Sequence, residues 1–175
     1  LLNIMIAGRD TTVSLLTNTW HALSHRPDII ARLREGLFTQ LQLEQRRPTY
    51  EDLKSLPYLS AVFKESLRIH PVTREAMIPT TLPRGGGPDG LQPVFVAKGQ
   101  AVIYSLYATQ RDVDVLGKDA DEFRPERWLD MESEKGLRPG CSYIPFNAGP
   151  SICLGQQLAL TEASYVTVCL LEELK

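Results

Sequence analysis

The sequence predicts a mainly α-helical chain with one small β-hairpin, then a long aperiodic stretch and a last helix. Three observations carry that prediction. Apolar residues recur at helical spacing through residues 1–69, punctuated by prolines and capping residues. Two apolar runs rich in Val, Ile and aromatics, Val94–Val96 and Ala101–Tyr104, flank Ala97-Lys98-Gly99-Gln100 as strands flank a turn. Residues 114–148 are dense in Pro, Gly, Asp and Trp with little periodicity. A segment of that kind inside a compact domain marks function or a loop that wraps something.

The elements follow in order. Leu15, Leu16, Thr19 and Leu23 set a first helix over residues 1–25. Pro27 suits a first turn, and Ile29, Ile30, Leu33 and Leu37 form the apolar face of a second helix. Residues 44–48 are polar and basic, a loop. Thr49-Tyr50-Glu51-Asp52 resembles a capping box and opens a short helix that ends before Pro57. Leu59, Val62, Phe63 and Leu67 line a further helix, Tyr58–Ile69, stopped by Pro71. Leu82–Pro93, with Gly85-Gly86-Gly87-Pro88, reads as loop ahead of the hairpin. Residues 105–113 form a short helix, and the last helix begins near Leu154.

Composition narrows the function classes. The 175 residues are 43% hydrophobic and 23% charged, with a formal net charge of −2. These are ordinary values for a globular protein. No basic stripe marks a nucleic-acid binder. Cys141, Cys153 and Cys169 are too few for a disulfide scaffold. His21, His25 and His70 stand in no Cys/His zinc spacing. The opening Leu1-Leu2-Asn3-Ile4-Met5-Ile6 is far shorter than the roughly 20 residues that span a bilayer. With no initiator Met and no cap after Leu174, both ends are expected to fall inside helices. The chain then reads as a single partial domain over residues 1–175, truncated at both ends.

The chemistry concentrates in Phe146-Asn147-Ala148-Gly149-Pro150-Ser151-Ile152-Cys153-Leu154-Gly155. Gly149-Pro150 is a turn, and Cys153 stands at the start of a helix. Unpaired N–H groups and the macrodipole there favour a thiolate. Gly155 lets a flat or bulky group approach the backbone. Such a thiolate is a soft metal ligand, an axial haem ligand included. A nucleophile, or an inert buried thiol, fits the same local pattern.

Spacing adds what the loop alone lacks. Phe146, Gly149, Cys153 and Gly155 stand at the intervals of the haem-binding loop of the cytochrome P-450 superfamily, which this pattern resembles. Glu65-Ser66-Leu67-Arg68 is similar to that family's Glu-x-x-Arg helix. Phe123-Arg124-Pro125-Glu126-Arg127-Trp128 is similar to its Pro-Glu-Arg meander, and Ala7-Gly8-Arg9-Asp10-Thr11-Thr12 to its oxygen-activation segment. The four occur in the family's order and cover essentially the whole chain.

The resemblance implies the C-terminal part of the cytochrome P-450 fold, with a long meander and a cysteine loop before the last helix. It implies haem b with Cys153 as axial ligand to the iron, and Phe146, Gly149, Gly155, Arg74, Ala7 and Gly8 around the cofactor. A bare Glu65–Arg68 pair would be read as a solvated surface pair; the resemblance implies that Arg127 joins it and locks the meander. Asp10-Thr11-Thr12 alone reads as a helix N-cap. The resemblance implies instead a helix opened near Ala7 and Gly8, where Thr11 hydrogen-bonds O2 or its water and Asp10 relays protons.

The phrases Leu82-Pro83 through Gly90, Tyr104–Tyr107 and Gly149–Gln157 resemble fungal alkane- and fatty-acid-hydroxylating members. They imply ω-hydroxylation of a small hydrophobic aliphatic substrate. They also imply electrons from an NADPH–cytochrome P-450 reductase, at the cytosolic face of the endoplasmic reticulum membrane, with the anchor upstream of this chain. Ser151 stands where the family has a propionate-binding Arg, and the link from His70-Pro71 to Arg74 is a few residues short. These departures keep a non-catalytic, truncated remnant as the alternative. A thiol-nucleophile enzyme pairing Cys153 with His70 would explain none of the other motifs.

Overall fold

A computed structural model describes residues 2–41, 46–71, 81–97, 105–129 and 139–174. Helix α1 spans Leu2–Ser24 and α2 spans Pro27–Leu41. Thr12, Leu15, Thr19 and Leu23 are buried along α1, the three- and four-residue spacing of one helix face. Thr19 survives in the core because its hydroxyl donates to the Leu15 carbonyl at 2.8 Å. Pro27 occupies the first turn of α2, where its missing N–H costs nothing. Ile29, Leu33, Leu37 and Leu41 are buried at intervals of four.

Helix α3, Tyr50–Lys54, starts on the capping box that the sequence predicts. Asp52 Oδ2 accepts from the Thr49 N–H at 2.7 Å, and the Asp52 N–H donates to Thr49 Oγ1 at 3.3 Å. Helix α4, Pro57–Ile69, begins on a proline and ends at His70, whose N–H donates to the Ser66 carbonyl. Helix α7, Gln156–Glu173, starts two residues later than Leu154. Leu174 is its C-cap, with its N–H donating to the Leu170 carbonyl at 2.9 Å, and Arg34 Nη2 donates to the Leu174 carbonyl.

These helices build one compact unit, Leu1–Val72 with Tyr107–Lys175. α1 packs on α4 and α7, and α2 on all three. Leu23, Ile29, Leu59, Val62, Phe63 and Val168 form the centre of their shared core. Between α4 and α7 the chain runs through α5, Leu106–Thr109, and α6, Val113–Leu116, then 3-10 turns at Pro125–Trp128, Gly140–Ser142 and Gly149–Ser151. One short helix over 105–113 therefore becomes two. Asp112 interrupts it as an N-cap, its Oδ1 accepting from the Asp114 N–H at 2.9 Å.

The second unit is Thr73–Leu106. It contains an antiparallel hairpin of β1, Thr81–Gly86, and β2, Gln92–Phe95, pairing Leu82 with Val94 and Gly86 with Gln92. The expected loop over Leu82–Pro93 is thus corrected, since its two ends are strand. Gly85 N–H donates to the Gly90 carbonyl at 2.8 Å, and Gly87 and Gly90 hold φ of 75° and 69°. That turn chemistry pairs a segment whose Pro and Gly content carries no strand propensity. Val94 and Phe95 are strand as expected; Ala101–Tyr104 lies outside the described residues. Among the described residues no helix is long and apolar enough to cross a membrane.

Two expectations at α1 are corrected as well. The helix runs unbroken through Ala7 and Gly8, and Asp10–Thr12 lie inside it rather than at a cap. Thr11 Oγ1 donates to the Ala7 carbonyl at 2.6 Å and Thr12 Oγ1 to the Gly8 carbonyl at 2.7 Å. A threonine within a helix has this partner one turn back, so its hydroxyl needs no opened backbone.

Candidate functional site

The site is built on a carboxylate with no exposure to water. Glu65 on α4 is fully buried and accepts five hydrogen bonds. Oε1 accepts from Arg68 Nη2 at 2.8 Å, Arg127 Nε at 2.9 Å and the Arg124 N–H at 2.9 Å. Oε2 accepts from Arg68 Nε at 3.0 Å and Trp128 Nε1 at 2.7 Å. The pair at i and i+3 is therefore no surface pair. Arg127 joins it as the resemblance implied.

Arg68 carries the network outward. Its Nη1 donates to the carbonyls of Gln110 and Ala120 at 3.0 and 2.5 Å, and Nη2 to Glu122 at 3.0 Å. Gln110 Nε2 returns to the carbonyls of Leu67 and Arg68. Arg127 adds Asp119, whose carboxylate also meets Arg124 Nη1 at 2.6 Å. Burial pushes Asp119 up, but Arg127 and Arg124 outweigh it and hold the carboxyl below its ordinary range. A charge buried in this way is tolerated only with its lone pairs and protons satisfied. Trp128 and Gln110 belong to the network and carry no signal of it in the sequence beyond Trp128's place beside Arg127.

Trp128 joins this support to the cysteine loop. Its ring lies 4.5 Å from that of Tyr143, tilted by 48°. Tyr143 Oη donates to the Lys64 carbonyl at 3.2 Å, and burial pushes its phenol well above the usual range. Three residues on, the loop closes on itself. The Cys153 N–H donates to the Phe146 carbonyl at 2.9 Å, and the Ile152 N–H to the Gly149 carbonyl at 3.2 Å. Asn147 and Gly149 take positive φ, 65° and 63°, which turns the chain within a few residues. A Cβ added at Gly149 meets open space, and one at Gly155 lies 3.9 Å from Cys153 Sγ. That is an ordinary van der Waals distance, so of the two it is Gly149, with its positive φ, whose conformation favours glycine.

Cys153 is half-buried and free, three residues before α7. Around it Ile152, Leu154 and Leu158 are exposed, Leu154 completely. A groove of about 400 Å³ beside the loop is lined by Phe63, Lys64, Tyr143, Phe146 and Leu160 but not by Cys153. Phe146, Gly149, Cys153 and Gly155 therefore share one loop. Ala7, Gly8, Asp10 and Thr11 share the N-terminal part of α1, which packs on α7. Ala7 and Gly8 are exposed, and a Cβ at Gly8 meets nothing within 4 Å. Asp10 is exposed beside Arg9 at 3.8 Å. Arg74 lies outside the described residues, as does the side chain of Ser151.

The cysteine loop fits a haem. Among the described residues no three His, Cys, Asp or Glu side chains form a metal cage. A macrocycle brings its own nitrogen donors and asks the protein for one axial ligand, which a thiol in a turn can supply. Exposed apolar side chains beside that thiol suit a flat, apolar ring.

Comparison with known proteins agrees. The family model for Cytochrome P450 matches residues 1–175. Cytochrome P450 52A5 of Candida maltosa is 52% identical over 181 aligned positions, covering 99% of this chain and 34% of the relative. Cytochrome P450 52A1 of Candida tropicalis is also 52% identical, over 99% of this chain and 33% of the relative. Cytochrome P450 52E1 of Candida apicola is 49% identical, over 98% and 34%. The chain spans about a third of the length of the curated relatives it matches. With the Glu65 network, the meander and the cysteine loop joined in one structure and the family pattern matched along its length, the chain belongs to the cytochrome P450 family, whose cofactor is haem b held by a cysteine thiolate.

Proposed function

We propose that this chain is the haem-ligating portion of a monooxygenase that hydroxylates long aliphatic chains, alkanes or fatty acids, at the ω position. Electrons would come from an NADPH–cytochrome P-450 reductase at the endoplasmic reticulum membrane. The net reaction is RH + O2 + NADPH + H⁺ → ROH + H2O + NADP⁺. The observation that carries this reading is Cys153, a single soft donor held by its N–H on the Phe146 carbonyl beside a bare apolar rim. Similarity to the fungal 52 branch supports the aliphatic substrate class.

Bound haem supplies reductive activation of O2; the chain's own residues do the rest. Cys153 would hold the haem iron through its sulfur, and its N–H on the Phe146 carbonyl fixes the backbone that carries it. The five-donor cage around Glu65 fixes the meander and, through Trp128 and Tyr143, the loop. Thr11 commits its proton to the Ala7 carbonyl, leaving its oxygen free to accept one from a water. Asp10, exposed on the preceding residue, can take up a proton from solvent and release it to such a water.

The test uses the full-length protein, reduced under CO. The expected result is a red-shifted thiolate Soret band that Cys153→Ala abolishes. The ω-hydroxy product should form from a long-chain fatty acid with reductase and NADPH. Retention of the band in Cys153→Ala would remove Cys153 as the ligand. An intact band with no oxidised aliphatic product would remove the substrate assignment.

A further inference from the structure

The C-terminal end of α1 brings together two imidazoles for which the haem chemistry has no use. His21 stands in the last turn, and His25 is four residues on, in the turn just past the helix. Their ring centroids lie 5.0 Å apart with the planes tilted by 54°. An ion bonded to two imidazole nitrogens at about 2.0–2.1 Å, with a near-tetrahedral angle, puts the two centroids about 5 Å apart. The observed centroid spacing meets that requirement.

A second observation fixes the proton. His25 Nδ1 lies 2.9 Å from the His21 carbonyl, which can only accept, so Nδ1 carries the hydrogen. Ser24 Oγ donates to that same carbonyl at 2.7 Å and can accept from Nδ1 at 3.1 Å. The Nε2 lone pair of His25 is thereby left for a ligand. Metal-binding histidines are oriented in this way, with the second ring nitrogen donating to a backbone carbonyl.

The surroundings favour a cation. The pair sits at the C-terminal end of a 23-residue helix, where the macrodipole is negative. Both residues are exposed. Arg26, the residue after His25, is paired with Asp28 at 2.7 Å, and Arg111, whose charge reaches His70 as that of His21 does, is paired with Asp121 at 3.3 Å. We propose that His21 and His25 form a surface site for a borderline divalent ion of the zinc class, bound through two imidazole nitrogens with water at the remaining positions. Among the described residues no three His, Cys, Asp or Glu side chains form a metal cage, and a two-histidine surface site is a different object.

The test is a Zn²⁺ titration of the tag-free, haem-loaded full-length protein against a chromophoric chelator, with thermal melts run beside it. The wild type is expected to bind one more equivalent of Zn²⁺ than His21→Gln/His25→Gln. Each single replacement should also weaken that equivalent, because one imidazole alone cannot chelate. Because the ion binds the folded pair, Zn²⁺ should raise the wild-type Tm, and the double variant should lose that rise. An unchanged Soret band in the variants shows that the fold is kept. Equal Zn²⁺ stoichiometry in wild type and double variant, or an equal Tm shift, overturns the proposal.

Discussion

A single carboxylate explains the pH behaviour expected of the meander. Asp119 faces Arg127 and Arg124, and those two charges outweigh the burial that would raise it. Its native pKa therefore lies below the ordinary value of 3.8, and the native state takes up the proton less readily than the unfolded chain. The stabilisation is fully present above that ordinary value and is lost as pH falls through the lower native one. The Tm gap between wild type and Asp119→Asn should be widest at neutral pH and close in acid. Melts from about pH 7 down to about pH 3 measure it, and a gap independent of pH would place Asp119 outside the ion pairs. The loop from Phe146 to Cys153 was legible in the sequence at this scale, because its spacing is local. Trp128 and Gln110 were not, since their partners lie 63 and 43 residues away.

At the scale of elements, α2 and α4 together clamp the start of the meander. Arg26 Nη1 donates to the Phe123 carbonyl at 2.8 Å. Arg32 Nη1 and Tyr58 Oη both donate to Glu126 Oε1, at 2.9 and 2.7 Å, and the guanidinium lies 4.2 Å over the Tyr58 ring. Burial first, then the Glu126 carboxylate, pushes the Tyr58 phenol well up, so it donates at any working pH. Tyr58→Phe removes one donor and keeps the ring beneath Arg32. A loss of about 1 kcal/mol is expected in urea unfolding. No loss would mean that Arg32 alone satisfies Glu126. Helices α2, α3 and α4 were readable because proline and capping signals are short-range. Strand β1 was not, since its pairing depends on a turn with positive φ at Gly87 and Gly90 rather than on any strand propensity in Thr81–Gly86.

At the scale of the whole molecule, Glu65 ties α4 to segments about sixty residues away. It meets Arg124 and Arg127 across 59 and 62 positions of sequence. Glu65→Gln leaves Arg68 and Arg127 buried beside a neutral amide, and a loss of about 3–5 kcal/mol is expected. Denaturation of the full-length protein measures it, with haem release expected to quicken as the meander loosens. A loss below about 1 kcal/mol would mean that the backbone carbonyls around Arg68 and Arg127 suffice without the carboxylate. The sequence by itself determined the helical periodicity, the capping box, the cysteine loop and the family, because these are written in residues only a few positions apart. Tertiary structure alone decided that Glu65 and Arg68 are buried rather than solvated, that α1 runs unbroken past Gly8, and that Arg34 reaches the Leu174 carbonyl. Those outcomes depend on which distant groups arrive to satisfy a charge or a carbonyl, and local spacing carries no record of them.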